Sequence, residues 1–125
     1  MNAKKVNLIL MFIVMVIGLV FLSPAVNARS QEVDAKAYKA AYNLILGEKW
    51  EDAGKALDGF IGKYPRSRYV DDARFWQCYS REKRESSLET VFKCYRDFLR
   101  KYPSSKWADD ARSNLIRIGH KLVQT

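Results

Sequence analysis

From Asp34 onward, apolar residues recur at three- and four-residue intervals, and no stretch of useful length alternates apolar with polar. The pattern predicts helices and no strands. A first helix is predicted over Asp34 to Leu46, rich in alanine, with Ala37, Tyr38, Ala41, Tyr42 and Ile45 at helical spacing; Gly47 ends it in a tight turn. A second covers Lys49 to Lys63 and carries one stripe, Trp50, Ala53, Leu57, Phe60 and Ile61. Tyr64-Pro65 stops it, because the residue before a proline avoids the α region. Ser67 is expected to cap a third helix running to Arg84, with Asp71 and Asp72 near its positive end. After the turn Glu85-Ser86-Ser87, a fourth helix has the cleanest stripe: Leu88, Val91, Phe92, Tyr95, Phe98 and Leu99. Tyr102-Pro103 stops it, and Ser105 is expected to cap a fifth helix burying Trp107, Ala111, Leu115, Ile118 and Leu122.

Part of this pattern occurs twice. FIGKYPRSRYVDDAR (60–74) and FLRKYPSSKWADDAR (98–112) lie 38 residues apart and share nine of 15 residues. Such a period marks stacked supersecondary units. Each unit is read as an antiparallel helical hairpin, over about 34–65 and 66–103, with a closing helix at 105–122. A lone hairpin cannot hide its apolar stripe, whereas two hairpins and a closing helix can.

The N-terminal part reads differently. Lys4 and Lys5 precede an uncharged run from Val6 to Leu22; Ser23-Pro24 breaks it, and Val26-Asn27-Ala28 offers a small-x-small cleavage pattern before Arg29. Residues 1–28 are therefore predicted to be a secretory signal peptide, with an uncleaved membrane anchor as the alternative. A polar leader over 29–33 and one helical domain over 34–125 follow. No cysteine lies near the cleavage site, which argues against acylation. The formal net charge is +8, with 22 basic and 14 acidic side chains. A basic surface suits nucleic acid, anionic lipid or an acidic partner; a well-hydrated surface with no specific target is the alternative. Export disfavours nucleic acid, and membrane contact is expected only through an uncleaved N-terminal segment.

Trp50-Glu51-Asp52-Ala53, followed by Phe60 and Pro65, resembles the second helix of a tetratricopeptide repeat (TPR), and Leu88, Val91, Phe98 and Pro103 take the same places in the next unit. The resemblance covers about residues 34–122. The YPxSxxxDDA linker is similar to that of bacterial envelope TPR proteins, namely the β-barrel assembly lipoprotein of the outer membrane and the Tol-Pal-associated periplasmic coordinator. The period here is 38 rather than 34, and the lipidation cysteine of the former and the coiled coil of the latter are absent. The resemblance implies an all-α stack of about five helices, or two and a half repeats, acting as a periplasmic scaffold for other proteins. It also implies that the first helix of each hairpin lines a concave face. Tyr38, Tyr42, Phe75 and Tyr79, extended by Arg112 and Arg117, are the groove candidates, because Tyr and Arg are common binding anchors; packing between hairpins is the alternative. Self-association through the last helix, or capping of a larger envelope complex, is the second functional reading.

Cys78 and Cys94 are the two cysteines, and subtracting the period places them on Ala40 and Ala56. Small residues at both places suggest a close helix approach, where a disulfide fits; two buried free thiols are the alternative. The absence of a CxxC spacing argues against a redox pair, and His120 is the sole histidine, too few ligands for zinc. Asp71-Asp72 and Asp109-Asp110 read as first-turn acids that complement the helix dipole and pair with Arg74 and Arg112. No glycine-rich phosphate loop, HExxH or GxSxG occurs, so no catalytic residue, metal site or cofactor is expected.

Overall fold

The computed structural model describes Lys5, Asn7, Met11 and residues 24–84 and 86–124, the side chains from Asn27 onward in the first helix. Except for Asn7 and Met11, the apolar run Val6 to Leu22 lies outside the described residues, and with it most of the expected signal peptide. By internal contacts the chain divides into Met1–Val33 and Asp34–Thr125. The described residues form a TPR-like all-α stack of five helices and no strand: α1 Pro24–Leu46, α2 Trp50–Lys63, α3 Val70–Lys83, α4 Leu88–Lys101 and α5 Ala108–Leu122.

α1 starts at Pro24, well before the expected Asp34, so the polar leader 29–33 is part of the helix. A proline in the first turn sacrifices no hydrogen bond, and Ala28, Arg29, Gln31 and Glu32 are good helix formers. α1 ends in a paired-bond turn: Lys49 N–H donates to the Leu44 carbonyl at 2.9 Å and Glu48 N–H to the Ile45 carbonyl at 3.0 Å. The left-handed residue in this turn is Glu48, with φ 55°, not Gly47. A side chain there is strained. Glu48→Gly is therefore expected to raise the unfolding free energy by about 0.5–1 kcal/mol, checked by urea denaturation.

The two duplicated segments adopt the same backbone. Tyr64 (φ −125°, ψ 58°) and Tyr102 (φ −129°, ψ 58°) end α2 and α4 alike, and each N–H donates to the phenylalanine carbonyl four residues back at 2.8 Å. Tyr69 (φ −97°, ψ 6°) and Trp107 (φ −91°, ψ 2°) open α3 and α5. Ser67 and Ser105, the expected caps, lie two residues before the observed N-caps Tyr69 and Trp107. Their hydroxyls accept from Tyr69 N–H at 3.2 Å and Trp107 N–H at 3.3 Å, closing the linker turn rather than capping the helix. Ser87 is a true N-cap, accepting from Thr90 N–H at 3.2 Å.

The linker does more than join hairpins, since the closest backbone packing runs across it, α2 to α3 and α4 to α5; α3 and α4 pack less closely. Fully buried alanines permit this approach: Ala53 and Ala73 in the first pair, Ala111 in the second. Two core clusters result, one around Leu57, Phe60 and Ile61 and one around Phe75, Val91, Tyr95, Phe98 and Ile118; Trp76 packs against both.

Candidate functional site

α3 is the central helix, and its two sides carry different chemistry. At about 3.6 residues per turn, Trp76, Tyr79 and Lys83 fall on one side and Arg74, Gln77, Cys78 and Arg81 on the other. The first side continues an aromatic surface from α1. Tyr38 and Tyr42 stack with centroids 6.0 Å apart, Tyr42 meets Trp76 at 5.3 Å, and Trp76 meets Tyr79 at 5.5 Å. Trp50 closes on Tyr79 at 5.8 Å, Trp107 on Trp76 at 4.9 Å, and Tyr69 stacks on Tyr38 at 4.8 Å. These rings are half-buried. Burial, reinforced by the Asp72 carboxylate, holds the Tyr38 hydroxyl well above the usual tyrosine range, so it remains a neutral donor.

Tyr38, Tyr42 and Tyr79 are thus brought together through Trp76 in one run of ring contacts. Phe75 lies elsewhere: it is 3% exposed and stacks flat on Trp107 at 4.7 Å, inside the second core cluster. As the direct neighbour of Trp76 it is turned by about a quarter circle away from that side chain. Arg112 and Arg117 are exposed but occupied. Arg112 pairs with Asp109 at 2.6 Å, and Arg117 pairs with Glu82 at 2.6 Å and donates to the Asn114 side-chain carbonyl at 3.1 Å. The latter contacts belong to a network joining three helices. Tyr95 donates to Glu82 at 3.1 Å, and Asn114 donates to the Tyr95 hydroxyl at 3.1 Å. Burial and the charge of Glu82 raise the Tyr95 hydroxyl far above its ordinary range, which keeps its proton in place for that bond.

The first aspartate pair has a role that sequence reasoning missed. Asp72, 5% exposed, accepts from the Trp107 indole and pairs with Lys106 at 3.0 Å, while Asp71 accepts from the Ser105 hydroxyl at 2.7 Å. These acids therefore hold the next linker, and Arg74 turns instead to the Gln77 side-chain carbonyl at 3.2 Å. Asp34-Ala35-Lys36, Asp72-Ala73-Arg74 and Asp110-Ala111-Arg112 recur at the same 38-residue period, but Asp34 lies inside α1 rather than at its start.

A family model described as an outer membrane lipoprotein, YfiO, matches residues 28–125. The chain belongs to the YfiO family. Two proteins named cell division coordinator CpoB, one from Pseudomonas putida strain KT2440 and one from Pseudomonas putida, are each 38% identical to it over 39 residues. That match covers 31% of this chain and 15% of either relative, a length close to one repeat. Within this YfiO-family chain, residues 28–125 hold no cysteine outside α3 and α4. Those two, Cys78 and Cys94, stand at disulfide distance with Cα atoms 5.5 Å apart. Cys78 is buried and Cys94 half-buried.

Proposed function

We propose that this chain is a non-enzymatic scaffold of the bacterial envelope that holds a peptide or helix of another protein against its α1–α3 aromatic surface. The observation that carries this reading is the continuous run Tyr38–Tyr42–Trp76–Tyr79, which spans two helices and is fixed from behind by Trp50, Tyr69 and Trp107. Rings locked by packing lose little freedom on binding, so contact energy goes into affinity rather than ordering. The family description supports an envelope location, and the signal-like N-terminus supports export to the periplasm, with an inner-membrane anchor or secretion as the alternatives. The cysteine pair is read as oxidised there.

A photo-crosslinking residue at exposed Lys83, whose ammonium lies 5.1 Å from the Tyr79 ring, tests the proposal. It is expected to capture envelope proteins, with Tyr79→Ala lowering the yield about tenfold or more, as loss of a tyrosine anchor does. A stability loss that outweighs the loss of capture would make Tyr79 a packing residue. The second reading, self-association, rests on Ile116 of α5, 62% exposed. Capture of the chain's own copies, with a dimer in light scattering, would favour it.

A further inference from the structure

The other side of α3 supports an interaction of different chemistry. Between α3 and α4 lies a cleft of about 220 Å³, and Arg74, Arg81 and Lys101 line it above Phe98 and the Cys78–Cys94 pair. A wider hollow of about 700 Å³ continues it over the first linker, adding Arg66 and Arg68 and sharing Arg74, Lys101 and Tyr102. Five cations therefore converge on one continuous depression.

None of the five has a carboxylate within ion-pair distance among the described residues. Four of them rest on neutral groups. Arg74 donates to Gln77, Arg81 to the Cys94 sulfur at 3.3 Å, and Arg68 to the Tyr69 hydroxyl at 2.8 Å; the Lys101 ammonium sits 5.5 Å from the Tyr102 ring. The acids on the walls are already engaged. Asp97 faces Lys93, Arg96 and Arg100, which hold its carboxyl below the usual range, and Asp71 accepts from Ser105. Elsewhere Glu51, Glu82, Asp72 and Asp109 each have a cationic partner. A recess rich in guanidinium and floored by apolar groups, where five cations outnumber the lining acids Asp97 and Asp71, focuses positive potential and favours carboxylate ligands held by paired N–H donors.

We propose that this α3–α4 cleft is a second docking site, for an acidic peptide segment of a partner protein. A peptide suits it better than a bilayer surface does. Arg74 and Arg81 are half-buried within the cleft, where a glutamate or aspartate side chain on a narrow backbone can enter and a plane of lipid headgroups cannot. Both guanidiniums are already positioned, one by Gln77 (itself bound to Asp58) and one by the Cys94 sulfur, so little ordering accompanies binding. The site lies opposite the aromatic surface on α3, so the two readings stand or fall separately.

The test uses the full-length chain, a fluorescein-labelled peptide alternating glutamate and leucine, and its glutamine counterpart, read by fluorescence anisotropy. The glutamate peptide is expected to bind and the glutamine one to bind at least about tenfold more weakly. An Arg74→Gln, Arg81→Gln double variant with an unchanged circular dichroism spectrum should lose about tenfold or more in affinity, while Arg74→Lys, Arg81→Lys retains part of it. Lys36→Gln, Lys39→Gln on α1 should leave it unchanged, as should Tyr79→Ala. Chemical shifts on titration should move at Gln77, Cys94 and Tyr102. Equal losses from the α1 lysine variant would overturn the proposal, reducing the binding to net charge. Arginine-dependent sedimentation with phosphatidylglycerol vesicles without peptide binding, or displacement of the peptide by an equimolar amount of inorganic phosphate, would overturn it too.

Discussion

Phe75→Ala is expected to lower the unfolding free energy by about 3–5 kcal/mol, the range for truncating a buried aromatic residue. The ring lies in a cage of four others: flat on Trp107 at 4.7 Å, and against Trp76 at 5.2 Å, Phe98 at 6.0 Å and Tyr95 at 6.1 Å. Its removal leaves a cavity at the meeting of α3, α4 and the second linker, where relaxation is limited because Asp72 fixes Trp107 through the indole nitrogen. The whole domain has about 5–15 kcal/mol of stability to lose, so the variant should denature at markedly lower urea with a similar slope. Trp107 fluorescence should shift to the red in the folded baseline as water reaches the stacked face. A loss below about 1 kcal/mol, with weaker partner capture, would return Phe75 to the binding surface expected from sequence.

That residue marks the limit of what could be read without coordinates. α2 and α4 each present one stripe because they pack on one side, and their buried residues Leu57, Phe60, Ile61, Val91, Tyr95 and Phe98 were all legible. α3 is enclosed from several sides, so Phe75, Trp76, Cys78 and Tyr79 come almost consecutively and no stripe separates core from surface. Trp76 bridges both core clusters and completes the aromatic run, yet its position in the sequence gives no sign of either role. The duplicated linker was legible because a repeated string takes a repeated conformation. Its locking contacts were not, because Ser105 to Asp71 and Trp107 to Asp72 join residues one repeat apart. The start of α1 was missed for a simpler reason. A proline that breaks a helix from inside can also begin one, and composition does not choose between the two.

Reducing the cysteine pair is expected to cost about 3 kcal/mol, the chain-entropy value for residues 16 apart. Location adds to that figure. α2–α3 and α4–α5 are the closely packed pairs, and Cys78 and Cys94 bridge α3 to α4, the looser junction between them. In a stack whose units touch only their neighbours, cooperativity depends on each junction in turn. An oxidised pair would hold these two helix pairs together at their looser junction, assisted by Glu82, Tyr95 and Arg117. Thiol titration of denatured, unreduced protein should find no free cysteine. Adding reductant should lower the urea midpoint and broaden the transition, with the α4–α5 pair separating from α2–α3 before either pair melts. A Cys78→Ala, Cys94→Ala double variant should behave like the reduced protein and no longer respond to reductant. Two titratable thiols in the untreated protein would show that the pair packs as small apolar side chains, and the stack's cooperativity would then rest on the Glu82–Tyr95–Arg117 network and the shared contacts of Trp76.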